Sequence, residues 1–85
     1  MELKEKFEKA AAESKNLASK PSNETLLQLY SLYKQGSVGD IDTEPPSNPF
    51  DFVAKAKYDA WAALKGKSND EAMTAYVELV KKLQE

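Results

Sequence analysis

Two groups of basic and aromatic residues stand on either side of a proline-rich segment. Tyr30, Tyr33 and Lys34 share one helical pattern, and Lys57 and Trp61 share the next. A lysine offers a mobile positive charge to an anion, and an aromatic face can stack on a base or cover an aliphatic surface. These residue types on two paired helices predict a site for a ligand that carries both phosphates and a ring.

Helical geometry allows both groups to face a common ligand. At about 100° per residue, Tyr30, Tyr33 and Lys34 fall within an arc of about 100°. Lys57 and Trp61 are four residues apart and share a face, with Lys55 and Tyr58 flanking it. Lys15, late in the first helix, could add a further charge.

A structural interpretation of the same residues stays open at this point. Tyrosines on amphipathic helices are more often core or rim residues than ligand contacts, and lysines are more often solvated. Spacing alone favours this interpretation over the functional one.

The composition excludes several classes of function. The chain has 85 residues with no cysteine and no histidine, so Ser-His and Cys-His catalysis and thiolate metal sites cannot be assembled within it. Its 12 basic residues, all lysine, are outweighed by 14 acidic ones, which argues against nucleic-acid binding. No apolar run approaches the roughly 20 residues of a membrane span. We expect one domain over residues 1–85, cytoplasmic, with no catalytic residue, no metal and no cofactor.

The first half of the chain predicts two helices. Apolar residues from Leu3 to Leu17 follow a helical period, and Pro21 is expected to stop this first helix. Ser22 can cap the second helix, whose run from Leu26 to Leu29 we assign to the core. Gly36 and Gly39 are expected to end it.

The second half predicts two more helices after a long loop. Two glycines and three prolines exclude regular structure for most of residues 36–50, a length that can join two helices running in the same direction. The third helix starts near residues 48–51, turns Phe52 to the apolar side with Ala56, Ala60 and Leu64, and ends at Gly66. Ser68 and Glu71 form a capping box for the fourth. Short outer connections with one long middle connection predict an all-α, four-helix bundle of up-down-down-up type.

Two segments carry a family resemblance. Residues 30–46 and 51–61 resemble the signature of the acyl-CoA-binding proteins, the family of diazepam-binding-inhibitor-like proteins, and the match extends over nearly the whole chain. The resemblance implies the same up-down-down-up bundle. It also implies high-affinity binding of long-chain acyl-CoA esters in a shallow bowl.

The resemblance also implies roles for individual residues. Tyr30, Lys34 and Lys57 would hold the CoA head, chiefly its 3′-phosphate, and Tyr33 would pack against the adenine. Tyr76 would close on the ligand. Two first-helix positions near the nucleotide, Lys15 and Ala11, complete the set.

The chain departs from the family pattern at several positions. Pro45 replaces a basic residue, one extra residue lies between Pro46 and Phe50, Tyr58 replaces a tryptophan, and Val53 aligns with a polar or small residue. We expect altered affinity or chain preference from these changes, and not a loss of binding.

The resemblance implies an intracellular carrier and pool former for acyl-CoA that performs no catalysis. We expect a monomer that exchanges acyl-CoA with acyl-CoA-using enzymes and membranes. One alternative is a thioesterase, which the absence of histidine and cysteine disfavours. The other is a helical module that presents its tyrosine and lysine face to a protein or a membrane.

Overall fold

The computed structural model describes residues 2–85, in which four α-helices occur and no strand. They are α1 (Leu3–Glu13), α2 (Asn23–Ser37), α3 (Phe52–Ala62) and α4 (Asn69–Leu83), with a 3₁₀ turn at Ser14–Asn16 after α1. None of the helices in this range has the length and apolar character that crossing a membrane requires.

Side-chain caps fix where two of the predicted helices begin. The Ser22 hydroxyl accepts a hydrogen bond from the Thr25 backbone N–H at 3.2 Å, which starts α2 as predicted. At α4 the predicted capping box is confirmed, because the Glu71 N–H donates to the Ser68 hydroxyl and the Ser68 N–H donates to the Glu71 carboxylate. Hydrogen bonds from the Ser68 hydroxyl and then from its N–H lower the pKa of Glu71.

The contacts between helices establish their directions. The side chain of Asn69, at the start of α4, donates to the Gly36 carbonyl near the end of α2, so these two helices are antiparallel. Phe7 of α1 lies beside Gly36, while Ser14, farther along the chain, meets the Tyr76 hydroxyl, so α1 runs parallel to α4.

The long loop joins two parallel helices, as its length predicted. The first turns of α2 and α3 line one groove, with Leu26 opposite Phe52, and at the far ends Gln35 of α2 contacts Trp61 of α3. The up-down-down-up order is therefore confirmed.

The core lies mainly between α1, α2 and α4. Its buried cluster contains Phe7, Ala10, Leu29, Tyr76 and Val80. The Phe7 and Tyr76 rings meet edge to face, with centroids 5.1 Å apart and planes at 70°. The third helix, α3, packs on α2 outside this cluster.

Gly36 does not end α2, contrary to the sequence-based prediction. It is buried one residue before the end of the helix, where a Cβ atom would lie 3.1 Å from both the Phe7 ring and the Met73 side chain. Its small size lets three helices approach closely. Gly39 makes the turn instead, with φ of +107° and its N–H on the Lys34 carbonyl.

The predicted end of the first helix is also wrong. Leu17 is extended, with ψ of 142°, and lies beyond the 3₁₀ turn, so Pro21 is not what stops α1. The Ser14 hydroxyl donates to the Ala11 carbonyl at 2.7 Å, and such a local bond competes with the helical ladder. The helix tightens and ends four residues before Leu17.

Two residues assigned to apolar faces are exposed. Phe52 is 71% exposed, and Leu26 is 38% exposed although Leu29 is buried. Both lie in the groove between α2 and α3, which no other helix covers. The helical part of α3 ends at Ala62, and turns carry the chain to Gly66, whose φ is +95°.

A buried glutamine joins α2, the loop and the α3–α4 turn. Gln35 is fully buried; its amide nitrogen donates to Asp40 at 2.8 Å and to the Lys67 carbonyl at 2.7 Å. Its amide oxygen accepts a hydrogen bond from the Trp61 indole N–H at 3.2 Å, and that N–H also donates to the Gly39 carbonyl at 2.9 Å. This network fixes the parallel arrangement of α2 and α3.

Replacing Gln35 by leucine should destabilise the fold strongly. Leucine has no polar group, so the Lys67 carbonyl loses its partner in a buried setting, and we expect a cost of about 2 to 3 kcal/mol in the free energy of unfolding. Gln28→Leu is the matched control, because Gln28 is exposed on the same helix and its replacement should cost little. Urea unfolding of both variants measures the difference, and equal midpoints would contradict the role of Gln35.

Asp40 should give stability a pH dependence at acidic pH. The Gly66 N–H, then the Gln35 amide and the nearby Lys65 charge lower the pKa of Asp40. The pKa of Asp40 is lower in the folded state than in the unfolded state, so the ionised carboxylate contributes its full stabilisation at pH values above the ordinary carboxyl pKa. That stabilisation is lost as the pH falls through the lowered pKa. Asp40→Asn should therefore lose stability at neutral pH and approach the parent in acid.

Asp42→Asn provides the control for Asp40→Asn. It removes the same charge from an exposed position two residues along the loop. Thermal melts between neutral pH and pH about 2 should show the converging pattern for Asp40→Asn alone. A constant offset of that variant from the parent at every pH would contradict the assignment.

Candidate functional site

Tyr30 stands where three surface cavities meet. It is half-buried on α2, and its side chain lines one cavity against α1, a second against the loop and α3, and a third between the first turns of α2 and α3. A ligand that contacts this ring can therefore extend in any of three directions.

The first cavity brings five of the predicted site residues together. It has a volume of about 310 Å³ and is lined by Ala11 and Lys15 from the α1 region, Tyr30 and Tyr33 from α2, and Tyr76 from α4. A neighbouring depression of about 520 Å³ shares Ala11, Lys15 and Tyr33 with it. The two form a continuous shallow surface beside α1.

Tyr33 offers an aromatic surface that is supported from the core. Its ring stacks on Phe7, with centroids 5.4 Å apart and planes at 22°, and lies 6.0 Å from the Tyr76 ring. It nevertheless remains 43% exposed. Because Phe7 covers part of the ring, the exposed part is available to a stacking ligand.

Tyr76 is buried beneath this surface. Its hydroxyl donates to the Ser14 hydroxyl at 3.2 Å, which ties α4 to the turn after α1. Its ring thus lies beside Tyr33 in the core and forms part of the cavity wall.

Two lysines converge on the Tyr30 ring from different helices. The Lys57 Nζ atom is 5.3 Å from the ring centroid, and the Lys34 Nζ atom is 6.0 Å from it and 5.7 Å from the Trp61 ring. Contacts at these distances are weakly attractive cation–π interactions, which orient the ammonium groups. Two positive charges at one ring repel each other, so an anion placed between them would be stabilised.

The second cavity lies between Lys57 and the proline-rich loop, and Lys34 is not among the residues that line it. It has a volume of about 220 Å³ and is lined by Tyr30, Lys57, Tyr58 and Trp61 together with loop residues that include Glu44 and Pro46. Tyr58 therefore lines the same cavity as Lys57. Pro46 contributes to this wall, whereas Pro45 is exposed.

Lys55 does not join the lysine pair. It precedes Lys57 by two residues on α3, about 200° around the helix, so the two side chains leave from opposite sides. Its place in the predicted cluster came from proximity in sequence and is not supported by the helix geometry.

The third cavity is an apolar groove that sequence reasoning missed. It has a volume of about 370 Å³ and lies between Leu26 and Leu27 of α2 and Phe52, Val53 and Ala56 of α3. Leu26, Leu27, Phe52 and Ala56 were predicted to face the core because they are apolar and helically spaced, and Val53 was not assigned. The available signal was the excess of apolar residues at the start of α3, with Val53 next to Phe52, which is wider than one buried stripe requires.

No metal centre accompanies these cavities in the part of the chain that the structure describes. Residues 2–85 contain no group of three or more acidic side chains arranged to hold a metal ion, and the chain has neither histidine nor cysteine. The alternating acids Asp40, Asp42 and Glu44 are not such a group. Asp40 serves the Gln35 network instead.

Comparison with known proteins identifies the family to which this chain belongs. The family model described as acyl-CoA-binding protein matches residues 4–80. The chain belongs to the acyl-CoA-binding protein family. An acyl-CoA-binding protein of Brassica napus is 52% identical over 85 residues, which cover 100% of this chain and 91% of that protein.

Solved structures of family members share the fold. The crystal structure of acyl-CoA-binding protein 2 from Oryza sativa superposes with a TM-score of 0.90 at 45% identity, covering 96% of this chain and 90% of that one. The crystal structure of the family member from Moniliophthora perniciosa gives a TM-score of 0.88 at 36% identity, covering 98% and 80%. The acyl-CoA-binding family fold is thus established for this chain.

Proposed function

We propose that this chain, as a single domain over residues 1–85, binds long-chain acyl-CoA esters and carries them without altering them. The observation that supports the proposal is the position of Tyr30 and Lys57. Both residues line the second cavity, beside the loop, and also the apolar groove, so one ligand can contact the two surfaces at once. Acyl-CoA has this composition, since a highly charged nucleotide head is joined to a hydrocarbon tail.

The head of the ligand fits the side with the lysines. Lys34 and Lys57, with the Tyr30 hydroxyl, would hold phosphate oxygens, chiefly the 3′-phosphate, through charge-assisted hydrogen bonds. Tyr33 would stack on the adenine, because its ring is supported by Phe7 and exposed. Lys15 and Ala11 line the same surface beside it.

Tyr76 takes a supporting role in this proposal. Its ring is only 4% exposed, and its hydroxyl is already engaged by Ser14, so little of its surface is open to a ligand. It would act mainly by holding Tyr33 in the stacking position.

The tail fits the groove between α2 and α3. Leu26, Leu27 and Ala56 line it beside Phe52, and it opens on Lys57 at the end nearer the head. At about 0.8 kcal/mol per buried methylene, the methylenes of a palmitoyl tail contribute up to about 11 kcal/mol. An open groove covers only part of the tail, so the actual contribution is smaller.

The geometry favours a carrier over a hydrolase. Ser14 is the serine that lines the cavity beside Tyr30, and its hydroxyl donates to the Ala11 carbonyl while accepting from Tyr76. It has no base to take its proton. With no histidine or cysteine in the chain, the proposal includes no cofactor and no bond cleavage.

The cellular context is part of the proposal. A monomer in the cytoplasm would take up acyl-CoA from membranes or enzymes that produce it and give it up to those that consume it. The shallow, open cavities suit such exchange, because the ligand can leave without unfolding a lid.

Removing either lysine should weaken binding of palmitoyl-CoA. Lys34→Ala and Lys57→Ala each remove an ammonium group beside Tyr30, and we expect the dissociation constant to rise about tenfold or more. Lys55→Ala is the matched control, since it removes the same charge from the opposite side of α3. Calorimetry should show the loss for the first two variants only, with unchanged melting temperatures. Equal weakening by all three would indicate a general charge effect and contradict the site.

The groove should make affinity depend on tail length. Palmitoyl-CoA should bind far more tightly than free CoA or palmitate, because only the ester contacts both surfaces. Across a series of saturated acyl-CoA esters, affinity should rise with each pair of methylenes until the groove is filled. Similar affinities for CoA and palmitoyl-CoA would exclude the groove as the tail site. Absence of binding by any acyl-CoA would instead favour an interaction module.

A further inference from the structure

Among residues 2–85, the most exposed large apolar side chains are clustered at the start of α3. Phe50, Phe52 and Val53 are 80%, 71% and 66% exposed. Phe52 and Val53 also form the outer wall of the apolar groove, whereas Phe50 lies beyond it. We call these three residues the apolar tip. The core does not use them, and a tail lying in the groove would cover only the inner side of two of them.

The backbone holds the apolar tip in this exposed position. The Phe50 N–H donates to the Asn48 side chain at 2.9 Å, and the Asp51 N–H donates to the Asn48 carbonyl at 3.1 Å. The Asp51 carboxylate then caps α3 by accepting from the Ala54 N–H. A local turn and a helix cap therefore restrain the backbone that carries the two phenyl rings, so little backbone freedom remains to be lost on docking.

The size and charge of the apolar tip indicate what it contacts. A stable protein interface involves about 20 to 30 residues on each side, far more than three side chains supply, so a second copy of this chain is a poor occupant. Residues 45–53 contain one charged side chain, Asp51, and it is engaged in the cap. Residues 45–53 supply no cation, and the next lysines, Lys55 and Lys57, lie one turn farther along α3, so the tip itself suits an uncharged apolar phase.

We propose that the apolar tip inserts into the interfacial region of a lipid bilayer, with zwitterionic lipids sufficient for docking. Phenylalanine side chains enter the boundary between headgroups and acyl chains, and a few such residues give weak, reversible attachment. Because Phe52 and Val53 belong to both the tip and the groove, insertion would join the groove directly to the hydrocarbon. This inference rests on the proposed function, and insertion of the tip would give the acyl tail a path between protein and bilayer that avoids water.

Vesicle binding of the ligand-free protein tests the docking. With phosphatidylcholine vesicles, Phe50→Ser should lower the partition coefficient about tenfold, and Phe50→Ser with Phe52→Ser about a hundredfold. Val38→Ser is the control, because Val38 is an exposed valine at the opposite end of α2 and its replacement should change nothing. All variants should melt like the parent, since the altered side chains are exposed.

Three outcomes would overturn the docking proposal. The first is an absence of binding of the parent protein to phosphatidylcholine vesicles, and the second is an equal loss of vesicle binding in Val38→Ser. The third is binding that requires phosphatidylserine and disappears in salt, which would assign the attachment to lysines. Tip-dependent self-association in sedimentation, without vesicle binding, would indicate a second copy and also overturn it.

Acyl-CoA measurements separate this proposal from the proposed function. Phe50→Ser should keep the palmitoyl-CoA affinity of the parent, because Phe50 lies outside the groove, yet it should slow transfer of palmitoyl-CoA to vesicles. In the parent, the transfer rate should rise with vesicle concentration. If the parent bound vesicles through the tip but not palmitoyl-CoA, only the proposed function would fail. If it bound palmitoyl-CoA but not vesicles, only the docking would fail.

Discussion

The hydrogen bonds of Gln35 are the constraint on which the site depends. A buried amide must satisfy its donors and acceptor, and here its partners come from the loop, from α3 and from the turn before α4. Since α3 packs on α2 and stays outside the main core cluster, these bonds do much to define its position. That position brings Lys57 to the same ring as Lys34. Without it, the two charges would belong to separate surfaces.

The open architecture follows from the same arrangement. Three helices share one compact core, and α3 lies mainly against α2, which leaves uncovered surfaces on both sides of Tyr30. Lysine ammonium groups and the Tyr33 ring lie on one side of Tyr30, and aliphatic side chains lie on the other. A ligand with a charged and an apolar half matches this division, because neither half has to be transferred into an environment that disfavours it.

Much of the fold could be predicted because its signals are local. Capping by Ser22 and by Ser68 with Glu71 depends on residues within one turn, and the long middle loop constrains helix direction by its length alone. Residues that act through distant contacts were misread. Gly36 resembles a helix terminator, yet it serves a close approach of Phe7 and Met73. Phe52 resembles a core residue because hydrophobicity does not reveal that no other helix covers it.

The candidate site was predicted to a similar extent. Family resemblance supplied the tyrosines and lysines, and the structure places Lys34 beside the Tyr30 ring and the others in the walls of cavities that meet at Tyr30. Tyr76 lies deeper than a residue that closes over a ligand. The apolar groove had no motif to mark it, since aliphatic residues that bind a tail and those that fill a core are chemically the same.

An NMR titration of the protein with palmitoyl-CoA tests the central claim most directly. The account predicts amide shifts in two joined regions, one around Tyr30, Lys34 and Lys57 and the other along the groove at Leu26 and Ala56. The depression on the outer side of α1 and α4, lined by Lys6 and Lys81, should remain unchanged. Shifts confined to that outer depression, or an absence of shifts in the groove, would contradict it.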